Sequence, residues 1–130
     1  PKERELASIL EESSGPGGSP FNVLIDLKKM GATFPLLGIG CVGQDTVGDE
    51  IIGICENYAL TTTYLYRLPH FATSYTDVMS VKKGGSRTYF HYRGANQGFG
   101  MEHVPLTYLK KQSFQEASRL QKQYRLFRFF

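Results

Sequence analysis

Two glycine-rich turns hold the residues of this sequence best suited to chemistry. The first, Gly15-Pro16-Gly17-Gly18-Ser19-Pro20-Phe21-Asn22, runs into a stretch with helical spacing. Backbone amides at a helix start bind anions or hydroxyls, and glycines let a ligand come close. The spacing is not that of a dinucleotide loop, and the Gly-Lys-Ser/Thr of a phosphate loop is missing. Taken alone the segment also reads as a plain turn, the commoner reason for such a cluster. The second turn is Gly43-Gln44-Asp45-Thr46-Val47-Gly48, where Asp45 or Thr46 is placed to cap a following helix. His70, His91 and His103 have no metal-ligand spacing with each other or with Cys41 and Cys55, so no metal site is expected. Ser and His residues are scattered without a nucleophile elbow. Tyrosine-rich stretches after residue 74 could stack on sugars or bases. They also suit a pleated, half-exposed surface, the commoner role of Tyr in strands.

The elements that must carry these residues follow from periodicity and breakers. Residues 2–12 read as a short polar helix with little apolar face, and residues 13–20 as a loop. Val23, Leu24, Leu27 and Met30 keep helical spacing up to Gly31, a natural stop. Residues 34–42 are apolar almost throughout, which predicts a strand buried on both faces. Residues 46–60 read as a second helix with Ile51, Ile52, Cys55 and Ala59 on one stripe. Residues 74–82 and 87–93, rich in Thr, Tyr, Val and Phe, flank Lys83-Gly84-Gly85-Ser86 and predict a β-hairpin. Polar and apolar residues fall on both of its faces, so it is expected to project from the core and cover something. Residues 113–124 read as a helix and 125–130 as a further strand. The order is an α/β plan with a β appendage.

At 130 residues the chain is long enough for one compact domain and too short for two ordinary ones. Two cysteines inside apolar runs suit buried thiols in a reducing compartment rather than a disulfide framework. No stretch approaches the ~20 apolar residues that span a bilayer and no signal peptide opens the chain, so a cytoplasmic protein without membrane partners is expected. Residues 110–130 carry six Lys or Arg against Glu116 alone. That basic run reads as a solvated helix face, not a nucleic-acid site. Pro1 in place of an initiator Met, and the apolar run Leu126-Phe127-Arg128-Phe129-Phe130, read as the ends of a fragment.

Several segments, taken in order, carry a resemblance to the PfkB/ribokinase family of carbohydrate kinases. Gly17-Gly18-Ser19-Pro20-Phe21-Asn22, with Leu27-Lys28-Lys29-Met30-Gly31-Ala32 after it, resembles the family's GG-x-x-x-N…LG-A opening. Val42-Gly43-Gln44-Asp45-Thr46-Val47-Gly48 is similar to its VG-x-D-x-x-G segment. Thr73-Ser74-Tyr75-Thr76, Gly85-Ser86-Arg87-Thr88 and Arg93-Gly94-Ala95-Asn96 look like the family's lid hairpin and the GAN that closes it. The resemblance runs from about residue 15 to the C-terminus. Two departures are Leu24, where the family usually has a small residue, and Ser19, where ribokinases carry Lys, so ribose is not favoured.

The resemblance implies part of a ribokinase-like three-layer α/β/α fold, with residues 15–60 and 97–130 as the body and 73–96 as a β-hairpin lid. It implies an enzyme that uses ATP and Mg2+ to phosphorylate a sugar or nucleoside hydroxyl. This chain would supply only the acceptor side and be inactive alone, since the family's anion hole and catalytic Asp would lie beyond Phe130. By the same carry-over, Gly17 and Gly18 would allow close approach of the sugar and Asn22 would pair with its vicinal hydroxyls. Thr76, Tyr89 and His91 would form the lid face over it; Tyr89 and His91 share a strand face by two-residue alternation. Asn96 would sit at the hinge. A homodimer through the lid is implied as well. The competing class is a non-catalytic truncated paralogue that serves as a sugar-binding or dimerisation module.

Overall fold

The computed structural model of the protein describes residues 6–117. Helix α1, Ser19–Lys29, starts after Gly18, with Pro20 in its first turn, where the missing N–H costs nothing. Lys28 and Lys29 in its last turn complement the negative end of the helix dipole. Gly31, at φ +77°, ends it. There the Gly31 amide donates to Lys28 O at 3.0 Å and the Ala32 amide to Leu27 O at 3.0 Å, a Schellman closure.

Strand β1, Gly40–Gly43, follows, then helix α2, Thr46–Asn57, and strand β2, Leu65–Leu68. Strands β1 and β2 pair in parallel with Gly40 opposite Leu65 and Gly43 opposite Leu68, so β1, α2 and β2 form one crossover unit. An isolated parallel bridge joins Leu37 to Thr61. The core lies where α1 and α2 meet the chain ahead of β1: Leu24, Ile25, Leu36, Cys55 and Leu60 are buried together, with Phe21, Leu27, Phe34, Tyr58 and Leu65 packed on them.

Strands β3, Tyr75–Ser80, and β4, Arg87–Tyr92, form an antiparallel hairpin with Tyr75 opposite Tyr92 and Ser80 opposite Arg87. Every residue of both strands is exposed. A 3-10 turn, Gly94–Gly98, leads from the hairpin back onto β1, and a second short turn, Met101–His103, precedes helix α3, Leu106–Ala117. The rings of Tyr66 in β2 and His103 form a T-shaped pair with centroids 4.9 Å apart, which seats the second turn on the sheet. Among the described residues no helix is long and apolar enough to cross a membrane.

The sequence-based expectations need several corrections. Of the helix expected over 2–12, residues 6–12 are irregular and exposed: Leu6, Ile9 and Leu10 have nothing packed on them, and so short a segment lacks the burial that sustains a helix. Residues 2–5 lie outside the described residues. The strand expected over 34–42 is continuous only from Gly40, where β2 offers four partners; ahead of it the pairing is the single bridge from Leu37 to Thr61. Ala59 is not on a buried helical stripe. It sits beyond α2 at φ +50°, exposed, and Leu60 turns inward in its place, its amide donating to Cys55 O at 2.9 Å. Strand β2 itself is an addition to the expected order. Helix α3 begins at Leu106 rather than 113, directly after Pro105; the expected helix end and the strand over 125–130 lie outside the described residues.

Candidate functional site

The chemistry-bearing residues fall into two groups. The first is the opening of α1. Gly18 takes φ +95°, a conformation that disfavours side chains, and a Cβ on either Gly17 or Gly18 would meet nothing within 4 Å. The approach to the helix start is therefore open. No side chain caps α1. Asn22 is exposed, and its amide donates to Gly18 O at 3.1 Å. As the fourth residue of the helix it lies past the positions a cap occupies, so its side-chain donors and acceptor are not spent on capping.

The second group is the hairpin with its root. Cross-strand register places Thr76 opposite His91 and Val78 opposite Tyr89, so Thr76, Tyr89 and His91 share one face. The Thr76 hydroxyl and His91 Nδ1 are hydrogen-bonded at 2.8 Å. On the opposite face Tyr75 and Tyr92 have ring centroids 5.3 Å apart. Together with Asp77, Phe90 and His91 they line a shallow concavity. Asn96 lies at the root, where its Nδ2 donates to Ser74 Oγ at 3.0 Å and ties the two hairpin ends together. Among the described residues no hydrogen bond, ion pair or ring contact joins the Gly17–Gly18–Asn22 group to the Thr76–Tyr89–His91 group.

Between hairpin and body lies a cluster that spacing alone did not single out. Asp45 caps α2: its Oδ1 accepts from the Gly48 amide at 2.8 Å. The same carboxylate accepts from the Thr73 hydroxyl at 2.6 Å and, through Oδ2, from the Thr73 amide at 2.6 Å. Thr73 Oγ in turn accepts from the Gly43 amide at 2.9 Å, and Thr73 is buried. The Thr73 hydroxyl bond holds the Asp45 carboxyl below the usual carboxylate range; burial opposes this, while the Thr73 and Gly48 amides and the Arg67 charge add to it. Arg67 also pairs with Asp49. Glycines make the joint close enough. A Cβ on Gly43 would lie 2.6 Å from both Phe71 O and the Thr73 nitrogen, and one on Gly94 would strike Ala72 O. The cap reading of Asp45 was visible in the turn sequence; its bond to Thr73, 28 residues away, carries no local signal.

Among the described residues no three His, Cys, Asp or Glu side chains cluster to hold a metal ion. The arrangement presents hydrogen-bonding groups for a polar ligand and a projecting hairpin anchored at its root.

The comparisons with known proteins agree with this architecture. Similar solved structures include the protein Sa239, with 25% identity and a TM-score of 0.65 over 79% of this chain and 33% of that one. Fructokinase from Xylella fastidiosa shares 24% identity at a TM-score of 0.61, covering 75% of this chain and 32% of its own. An uncharacterized sugar kinase from Pyrococcus horikoshii shares 20% at a TM-score of 0.65, covering 78% and 36%. These likenesses show a ribokinase-like α/β fold, and the chain spans about a third of the length of the structures it matches. No curated protein sequence matches it. The model of the pfkB family carbohydrate kinases matches residues 2–126, nearly the whole chain, and the chain therefore belongs to that family.

Proposed function

We propose that this chain is the acceptor-binding part of a carbohydrate kinase that transfers a phosphoryl group from ATP to a hydroxyl of a sugar or nucleoside. The observation that carries the reading is the family match over residues 2–126, in a chain whose glycine-lined helix start lies open beside an exposed, non-capping Asn22. Mg-ATP, when bound, supplies the phosphoryl group, and the described residues offer it no metal-ligand cluster. What this chain contributes is on the acceptor side. Gly17 and Gly18 admit the ligand to the helix start, and Asn22 offers two donors and an acceptor to neighbouring hydroxyls. Thr76, Tyr89 and His91 face the acceptor from the hairpin, which excludes water from a reaction governed by positioning and electrostatics. Asn96 holds the hairpin root. The hairpin also offers apolar side chains, Val78 and Met79 among them, to a second copy of the chain.

The test is Asn22→Asp in the complete enzyme, assayed with ATP against sugars and nucleosides. The change removes the amide donors and sets a charge beside the acceptor. Loss of a ligand-facing hydrogen bond costs about 1–3 kcal/mol, so kcat/KM falls by about one to two decades while Tm stays in place. An unchanged kcat/KM removes Asn22 from the site. A wild-type enzyme that phosphorylates nothing on the panel favours the binding-module alternative.

A further inference from the structure

The hairpin makes its dense contacts only within itself, so whatever fixes its direction must act at its root. Two straps meet there. One is the pairing of the two ends: the Ala95 amide donates to Ala72 O at 2.8 Å, and Asn96 reaches Ser74. It ties Ala72, just ahead of the hairpin, to Ala95 in the turn that packs on β1, and so parts when the hairpin root leaves the body. The other is Asp45, which stands on a different element, the turn between β1 and α2, and grips Thr73 two residues before β3 begins.

From this geometry we propose that Asp45 is a positioning residue: its carboxylate clasps the root of the hairpin to the body and so sets where the hairpin face lies over the acceptor. The clasp rests on the hydrogen bonds alone; its effect on the acceptor rests on the kinase reading above. Capping α2 uses only one carboxylate oxygen, on the Gly48 amide. The second oxygen is directed wholly at the Thr73 amide, 2.6 Å away. Thr73 passes the grip on, because its hydroxyl donates to Asp45 and accepts from Gly43 at the end of β1. Strand end, helix start and hairpin root thus meet on one buried threonine. A Cβ at Gly43, or one at Gly48, which would strike Gly43 O, would force the joint apart. This gives a physical role to the Gly-x-Asp-x-x-Gly spacing that capping alone leaves half explained.

The substitution that separates the two duties is Asp45→Ser. Serine caps a helix about as well as aspartate, but its side chain is one atom too short to hold Thr73 as well. Amide hydrogen exchange on the complete enzyme reads the result at Ala95, an amide Asp45 does not touch. Expected is exchange about tenfold faster at Ala95, with the Leu60 amide of the body unchanged. Thr73→Ser, which keeps the hydroxyl, retains the wild-type pattern. If Asp45→Ser does not fold, Thr73→Val loosens the same clasp from the other side and shows the same acceleration at Ala95. Equal acceleration at Leu60, or none at Ala95, overturns the proposal. A hairpin in place only part of the time lowers apparent affinity by the lost fraction. The KM for the sugar therefore rises about tenfold, with kcat and the KM for ATP little changed. A fall in kcat at constant sugar KM also overturns it. If the wild-type enzyme shows no sugar kinase activity, the kinase reading fails and exchange at Ala95 alone decides the clasp.

Discussion

The joint around Thr73 and the hairpin that grows from it are built in opposite ways. At the joint, backbone from three parts of the chain meets within hydrogen-bonding distance around one buried hydroxyl, and glycines are needed because no Cβ fits. Along the hairpin every strand residue is exposed, and added atoms meet open space; a Cβ on Gly84 or Gly85 touches nothing within 4 Å. Folding therefore constrains the joint tightly and leaves the hairpin's side chains free to answer to something outside the chain. The difference separates residues kept for architecture from residues available for binding.

That contrast is most sharply tested by one substitution made in both places. Gly43→Ala drives a methyl against Phe71 O and the Thr73 nitrogen and is expected to cost about 3 kcal/mol, in the range of a severe packing fault. Gly84→Ala meets no atom, and its positive φ, +97°, strains a turn that opens locally. Thermal denaturation should show a clear fall in Tm for the first and none for the second; equal falls would mean that the hairpin and the body melt as one unit.

Acid titration probes the same joint more gently. Because folding holds the Asp45 carboxyl below its unfolded value of about 3.9, the unfolded chain binds more protons over that interval, and stability rises with pH through it. The contribution is complete above about pH 5 and is lost as pH falls through the unfolded value toward the folded one. Asp45→Asn should lower stability at pH 7, and its deficit should shrink by pH 3; a deficit constant in pH would remove the charged clasp from the account.

Ala59 is a place where the body itself is strained. It closes α2 in a left-handed conformation, at φ +50°, that costs a non-glycine residue about 1 kcal/mol. Ala59→Gly should raise stability by about that amount, as read by chemical denaturation. A neutral result would mean that backbone freedom gained in the unfolded chain offsets the relief.

The smallest effect on stability is expected at Tyr89. This exposed hairpin side chain should change folding stability by less than about 0.5 kcal/mol when cut to Ala. On the proposed function its loss appears instead in the KM for the acceptor. A fall in Tm with unchanged kinetics would reverse the roles assigned to hairpin and joint.

Local rules recovered much of this molecule. The turn residues Gly84 and Gly85 mark the hairpin; Gly31 marks the end of α1; Asp45 marks the start of α2. In each case one residue type answers a local backbone need, a positive φ or an orphan amide. What escaped was set from a distance. Strand β2 is four residues long, and Thr61, Thr62 and Thr63 before it give no alternation to read; its pairing with β1 defines it. Thr73 looks like any loop threonine until Asp45 is folded against it. At the candidate site, the motif order pointed to Asn22 and Asn96, but only coordinates show that one is free of capping and the other is bonded to Ser74.

The two buried thiols give the protein a pair of internal clocks. Cys41, on β1, has its thiol pushed up by burial and by the nearby Glu102 charge; Cys55, inside the α1–α2 core, is pushed up by burial and by Glu56. A protonated, enclosed sulfur does not react with an alkylating reagent, so each is modified only during moments when its surroundings part. Cys55 times the separation of α1 from α2, and Cys41 times the opening of the buried strand β1. If the two are labelled at one rate, the body opens all at once. Two rates would reveal a seam between its halves, measured without adding a single probe.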